Sequence, residues 1–313
     1  MSYFPFLQSI TFIRVRVVFE ALEPIVLPSY KGSAFRGCLG EAMRKLTCRY
    51  RGANCQECKE KYTCAFSQLF NSFVEPGHPH HNKFPKSPHP YIIVPLPDDK
   101  TEFGAGDTFG FELTLIGKAI GRLPELSGAF NLMGQLGIGK RRGKFRPAGL
   151  QTLQPGLEYE ALPWFGKPGI LSFEQLKPIE LKNHLFIQLE NPLRIKENGQ
   201  LLRVAPRFDL LAARLALRLG LLAHFHCDAP WPETESLPGS TNITTSHSNV
   251  QLTDWRRYSG TQETTMNFDG LTGTITYTGT ELNNWLPLFI AGSWLHAGST
   301  ATFGLGKFSI AAS

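Results

Sequence analysis

Two short phrases carry the densest chemistry in this chain. One is Gly298-Ser-Thr-Ala-Thr-Phe-Gly304-Leu-Gly306-Lys307-Phe308, and the other is Gly137-Ile-Gly139-Lys140. Glycines spaced this closely let the backbone approach a ligand with no Cβ in the way. Successive N–H groups in such turns make a concave anion site, and the adjoining lysine adds charge. The second phrase also opens the densest basic run: Lys140, Arg141, Arg142, Lys144 and Arg146. Such a run is either a solvated loop or a clamp on nucleic-acid backbone, each phosphate contact adding salt dependence. Its place beside Gly137 and Gly139 favours the clamp. Recurrence of the phrase in two halves points to a duplicated domain that grips a polyanion.

A second constellation is four cysteines within seventeen residues: Cys48, Cys55, Cys58 and Cys64. Four thiolates can close a tetrahedral zinc site, and Cys-x2-Cys is a common half of one. No coordination position would stay open, so the expected role is structural. An iron–sulfur cluster is the alternative on ligand type, and reduced cysteines without metal are a third reading. Cys38 and Cys227 stand apart in apolar segments and read as small buried hydrophobes. The histidines His78, His80, His81 and His89 fall in a proline-crowded stretch, a poor preorganised ligand cage. His224 and His226 end a strongly apolar helix and read as satisfied, partly buried side chains.

The elements that position these residues follow from periodicity. At 313 residues, with 42% apolar and 19% charged, the chain is globular and long enough for two domains. A net charge of +6 favours anionic partners such as nucleic acid. Arg14 and Arg16 interrupt the first apolar stretch, which argues against a secretory leader. No run approaches the roughly 18 apolar residues of a membrane span. The expectation is a soluble cytoplasmic protein.

Residues 9–22 alternate as a strand, and 33–46 repeat apolar positions at helical spacing, with Ser33 as candidate N-cap. A short helix follows the cysteines to about Phe73, and prolines mark 75–90 as a loop. Strands are expected at 91–96, 107–116 and 144–153, with a helix over 119–136 that Pro124 breaks or begins. The stretch 155–170 reads as a linker. The order then repeats: strand 184–190, helix 207–226, exposed loop 229–248, strands 249–258 and 270–278, helix 280–296, strand 301–310. This predicts an α+β fold of tandem ferredoxin-like (RRM-like) βαββαβ domains, with a Cys-rich insertion (47–75) in the first. The domains would span 1–155 and 171–313, the second carrying the longer glycine-rich loop. No clear set of stacking aromatics accompanies the sheets, so backbone-directed RNA binding is expected.

Several residues together resemble the CRISPR precursor-RNA-processing endoribonucleases of the RAMP superfamily. They are Lys31-Gly-Ser-Ala-Phe-Arg36-Gly37-Cys-Leu-Gly40, the Cys-rich segment, His89-Pro90-Tyr91, Arg257-Tyr258-Ser259, and the stretch from Leu295-His296 to Phe308. The resemblance covers nearly the whole chain. It implies cleavage of CRISPR repeat RNA to mature guide RNAs with no catalytic metal. The 2′-hydroxyl would attack the adjacent phosphate, leaving a 2′,3′-cyclic phosphate. The alternative is a non-catalytic subunit of the same superfamily that binds guide RNA inside a CRISPR effector complex.

Many such enzymes carry a histidine on or near the first helix. Here Glu41 follows Gly40 instead. The catalytic candidates are therefore Arg36, Tyr30 and Lys31 near that helix, and His296 before the glycine loop. The alternative reading of Arg36 is an exposed or ion-paired structural arginine, and that of His296 is a helix C-terminal cap. The implied RNA contacts are Lys140, Arg141, Arg142, Lys144, Gly298, Gly304, Gly306 and Lys307.

Overall fold

Strand alternation and helical spacing resolve into two βαββαβ units in the computed structural model. It describes residues 3–175, 181, 183–232, 239–240, 242–253, 256–259 and 264–312. One compact unit comprises Ile10–Gln175 with Phe225–Asp228. The other comprises Met1–Ser9, Leu176–His224 and Ala229–Ser313.

The first unit runs β1 (Thr11–Ala21), β2 (Ile25–Val26), α1 (Gly32–Thr47), α2 (Ala65–Phe70), β3 (Tyr91–Pro95), β4 (Glu102–Phe103), β5 (Thr108–Ile116), α3 (Leu123–Leu136), β6 (Phe145–Leu153), β7 (Tyr159–Ala161) and β8 (Leu171–Ser172). Its antiparallel sheet has the order β3-β5-β1-β6-β7, and β8 pairs with the start of β1. Taking β1, β3, β5 and β6 as the four principal strands gives the ferredoxin-like order 4-1-3-2. One face of β1 buries Val15, Val17 and Phe19. Facing it, α1 buries Phe35, Cys38, Leu39, Ala42 and Met43, spaced for one helical stripe. Aromatic rings fill the space between, with Phe19 5.1 Å from Phe145 and Phe35 5.1 Å from Phe111.

The other unit runs β9 (His184–Leu193), β10 (Lys196–Glu197), β11 (Gln200–Leu201), α4 (Phe208–Cys227), β12 (Thr244–Thr253), β13 (Arg256–Ser259), β14 (Thr264–Asn267), β15 (Gly270–Thr278), α5 (Leu282–Leu295) and β16 (Phe308–Ala312). Its four-stranded sheet has the order β12-β15-β9-β16, the same topology again. Phe208 anchors the core, with rings 5.2 Å from Tyr277 and 5.4 Å from both Trp285 and Phe289. The Tyr277 hydroxyl keeps its bond by donating to the Pro206 carbonyl at 2.8 Å.

Several local expectations are corrected. Ser33 does not cap α1, which starts at Gly32 after Lys31 with no side-chain cap. The stretch 155–170 is not purely a linker, because Tyr159–Ala161 pairs with β6 and extends the first sheet. The strand expected at 249–258 begins earlier, at Thr244, and ends at Thr253. Its outer positions are nearly all exposed, so apolar alternation marked it poorly. Residues 301–303 form a buried 3-10 turn, and the last strand starts only at Phe308. Pro124 begins α3, where its missing N–H is no loss.

His224 and His226 are satisfied as expected. The His224 Nδ1 lies 2.8 Å from the Ala229 carbonyl, and the His226 Nε2 lies 2.8 Å from the Pro88 carbonyl and 3.2 Å from the Ser87 hydroxyl. A carbonyl only accepts, so the His226 Nε2 carries the proton. Burial pushes the His226 pKa down to about 4, although the bond to Pro88 pulls the other way. The unfolded chain takes up this proton near its ordinary value of about 6.5, and the native state resists until about 4. Stability from this group is therefore complete above about pH 7 and is lost as pH falls through 6.5 toward 4, by on the order of 2–3 kcal/mol. Urea unfolding from pH 7.5 to 4 should show that loss, and His226→Gln should remove this component of the pH dependence.

Candidate nucleic-acid interface

Helix α3 ends at Gly137, whose backbone turns to φ 77° and ψ 161°. The chain then reverses, Ile138 bridging to Gly143, and presents Lys140, Arg141 and Arg142 to solvent. The glycines serve the protein's own chain. A Cβ on Gly139 would stand 2.3 Å from the Val26 carbonyl oxygen, and one on Gly143 would stand 2.5 Å from that of Pro24. The turn is thus pressed onto the segment that follows β1. Its neighbours β2 and β4 pair as a separate two-stranded ladder, Ile25 opposite Phe103 and Val26 opposite Glu102.

The basic run divides by what its members already hold. Arg142 sits at φ 50° and pairs with Glu41 of α1 at 3.1 Å. Partial burial raises the Glu41 carboxyl, but the Lys45 hydrogen bond and the Arg142 charge outweigh it and hold the group below its usual range. The Lys144 ammonium donates to the Gln135 carbonyl at 2.7 Å and so caps α3. Arg146 makes a forked pair with Glu20. Among the described residues, Lys140 and Arg141 alone of this run make no side-chain hydrogen bond or ion pair. They line a cleft of about 730 Å³ together with Pro24, Val26, Glu102 and Phe103.

The other unit repeats the joint. The Ser299 N–H donates to the Arg194 carbonyl, the Gly306 N–H to Pro192, and the Ala297 N–H to Gly306. A Cβ on Gly298 would meet the Arg194 oxygen at 2.5 Å. The loop therefore packs on the segment after β9, as the first turn packs on the segment after β1. Gly304 and Gly306 are buried, and Lys307 pairs with Glu190 at 2.8 Å. Ala297, Ser299, Phe303, Gly304 and Gly306 all spend their N–H groups on the chain's own carbonyls. The concave anion site expected of this phrase is in large part used internally.

The catalytic candidates lie in different surroundings. Lys31 is 3% exposed, and its ammonium donates to the Asp98 carbonyl at 2.6 Å. Tyr30 is half-buried, and burial raises its pKa well above the ordinary tyrosine value. The Arg36 guanidinium lies 5.6 Å above the Phe70 ring, and its charge reaches Tyr91. His296, 1% exposed, caps α5 at φ 63° and ψ 154°. Its Nδ1 lies 3.1 Å from the Leu305 carbonyl, and its own carbonyl accepts from Arg218. Tyr30, Lys31 and Arg36 share the first unit with the basic turn, whereas His296 belongs to the other unit.

The four cysteines of the expected zinc site lie along the segment from the end of α1 to the start of α2. Cys48 follows α1 and Cys64 precedes α2, with a chain of turns between that holds Cys55 and Cys58. Each turn closes on its own backbone, as Lys61 N–H does on the Cys58 carbonyl. The Cys48 thiol contacts the Tyr50 carbonyl at 3.4 Å. Among the described residues no three His, Cys, Asp or Glu side chains converge as metal ligands. Sequence reasoning also missed the β2–β4 ladder and Glu102, because strands of two residues have no periodicity to read.

With two βαββαβ units, each closed by a glycine turn, the chain is a tandem ferredoxin-like protein. Residues 187–308 match the family described as the CRISPR-associated endoribonuclease Cas6, and residues 8–163 match a family described as an N-terminal domain. The match over residues 187–308 is to the CRISPR repeat-processing family that the chain's motifs resemble. An uncharacterised protein of Archaeoglobus fulgidus is 22% identical, over 97% of this chain and 99% of its own. Among solved structures, Thermus thermophilus Cas6 matches with a TM-score of 0.54 and 13% identity, over 96% of this chain and 98% of its own. A Cas6 product complex matches at 0.56 and 15%, over 95% and 98%. A partial Cas6-RT-Cas1--Cas2 complex matches at 0.57 and 12%, over 97% of this chain and 46% of its own. At these identities the structural likenesses establish the shared fold. No helix among the described residues is long and apolar enough to cross a membrane.

Proposed function

We propose that this protein is an endoribonuclease that cuts CRISPR repeat RNA without a catalytic metal. The match of residues 187–308 to the Cas6 endoribonuclease family carries the reading. The uncommitted Lys140 and Arg141 beside their cleft support an RNA path over the first unit. The 2′-hydroxyl of one nucleotide attacks the next phosphate in line. The 5′ oxygen leaves with a proton, and a 2′,3′-cyclic phosphate remains. Holding the nucleotide in line supplies much of the acceleration, and cations at the phosphorane supply more. Arg36 is the cation assigned to that charge, with Tyr30 and Lys31 buttressing the start of α1. In this reading His296 holds the glycine loop and does not transfer the proton.

Cleavage of a labelled repeat RNA in EDTA, beside the same RNA with one 2′-deoxy substitution at the scissile nucleotide, tests the proposal. Cutting of the first and not the second is expected. Tight binding with no cutting of either would instead make the chain a non-catalytic guide-RNA-binding subunit. Glu41 in place of a first-helix histidine is the observation that favours this second reading.

A further inference from the structure

The cleft beside the basic turn holds one group that a phosphate clamp does not need. Glu102 is exposed, lines the same cleft as Lys140 and Arg141, and makes no side-chain hydrogen bond or ion pair among the described residues. It stands opposite Val26 in the β2–β4 ladder, and Val26 is 41% exposed. One wall of the cleft therefore offers an apolar surface and a carboxylate, and the rim offers two unspent cations. A carboxylate repels phosphate but accepts strongly from the amino group of a base. Arg141 adds a planar guanidinium on which a base can stack. The volume of about 730 Å³ lies within the range of small-ligand pockets.

We infer that this cleft is a base-reading site for one unpaired nucleotide of the RNA. Glu102 accepts from the exocyclic amino group of the base, while Lys140 and Arg141 hold the flanking phosphates. Two cations on one rim suit a chain with phosphates on both sides of the base, so the ligand is a nucleotide within RNA. A base carrying an amino group, such as cytosine, is favoured over uracil, which offers only carbonyls in that place. The inference rests on the RNA-binding reading above and adds base selectivity to it.

The test compares single-stranded oligocytidylate with oligouridylate of equal length, bound to the full chain at fixed salt. The native protein is expected to prefer oligocytidylate by roughly fivefold or more, the low end of discrimination by a side-chain contact to a base edge. Glu102→Gln should bring the two within about twofold of each other. Lys140→Ala should weaken both alike and leave the preference. Equal binding of the two oligomers by the native protein, or a preference that survives Glu102→Gln, would overturn the base-reading site while leaving RNA binding intact. Failure of the native protein to bind these oligomers and repeat RNA alike would remove both readings together.

Discussion

Lys140→Ala combined with Arg141→Ala is expected to weaken RNA binding by roughly 10- to 100-fold at moderate salt, with the fold unchanged. These two side chains are the uncommitted cations of the turn, so their charge is available to phosphate. Each phosphate contact on a single strand contributes roughly 0.7 to the slope of log affinity against log salt, so losing two should flatten it by about 1.4. Lys144→Ala is the informative contrast. Its ammonium caps α3, so the substitution should lower stability more than affinity. Arg142→Ala should fall between, because its guanidinium is shared with Glu41. Fluorescence anisotropy of a labelled repeat RNA over a salt series measures all of these. An unchanged slope in the double variant would move the RNA path elsewhere.

Gly306→Ala should be the most damaging single-methyl change in the second glycine loop. The residue sits at φ 68°, and an added Cβ would lie 1.9 Å from the Ala297 carbonyl oxygen. The left-handed conformation alone costs about 1–2 kcal/mol for a residue with a Cβ. The clash is with backbone, which a rotamer change cannot relieve, and the Gly306 N–H bond to Pro192 limits how far the loop can shift. A total loss of roughly 3 kcal/mol or more follows, lowering the melting temperature by about 10 °C in a unit of this size. Gly149→Ala is the control, since a Cβ there meets nothing within 4 Å. Equal thermal stability of the two variants would refute this account of the loop.

The sheet order, the helices and the placing of both glycine phrases were legible in the sequence because each rests on a long periodic segment. Val15, Val17 and Phe19 announce β1, and Phe35, Leu39 and Met43 announce the inner face of α1. What the glycines approach was not legible. Close spacing shows only that something comes near, and Val26 and Arg194 are far away in sequence from Gly139 and Gly298. The basic run was visible as charge, but its division into committed and free cations depends on Glu20, Glu41 and the end of α3. Among the described residues no three ligand-type side chains converge, and the clustering of cysteines in sequence does not say how the turns between them aim the thiols.

The two helix caps have one more implication. Gly137 and His296 terminate α3 and α5 with nearly the same pair of backbone angles, one with a residue suited to them and one without. An alignment of the two halves by letters would score this position as a mismatch, whereas a comparison of torsions would score it as an identity. The duplication is therefore recorded more faithfully in dihedral angles than in amino acids, and a search for further members of this architecture gains by matching the joint as geometry.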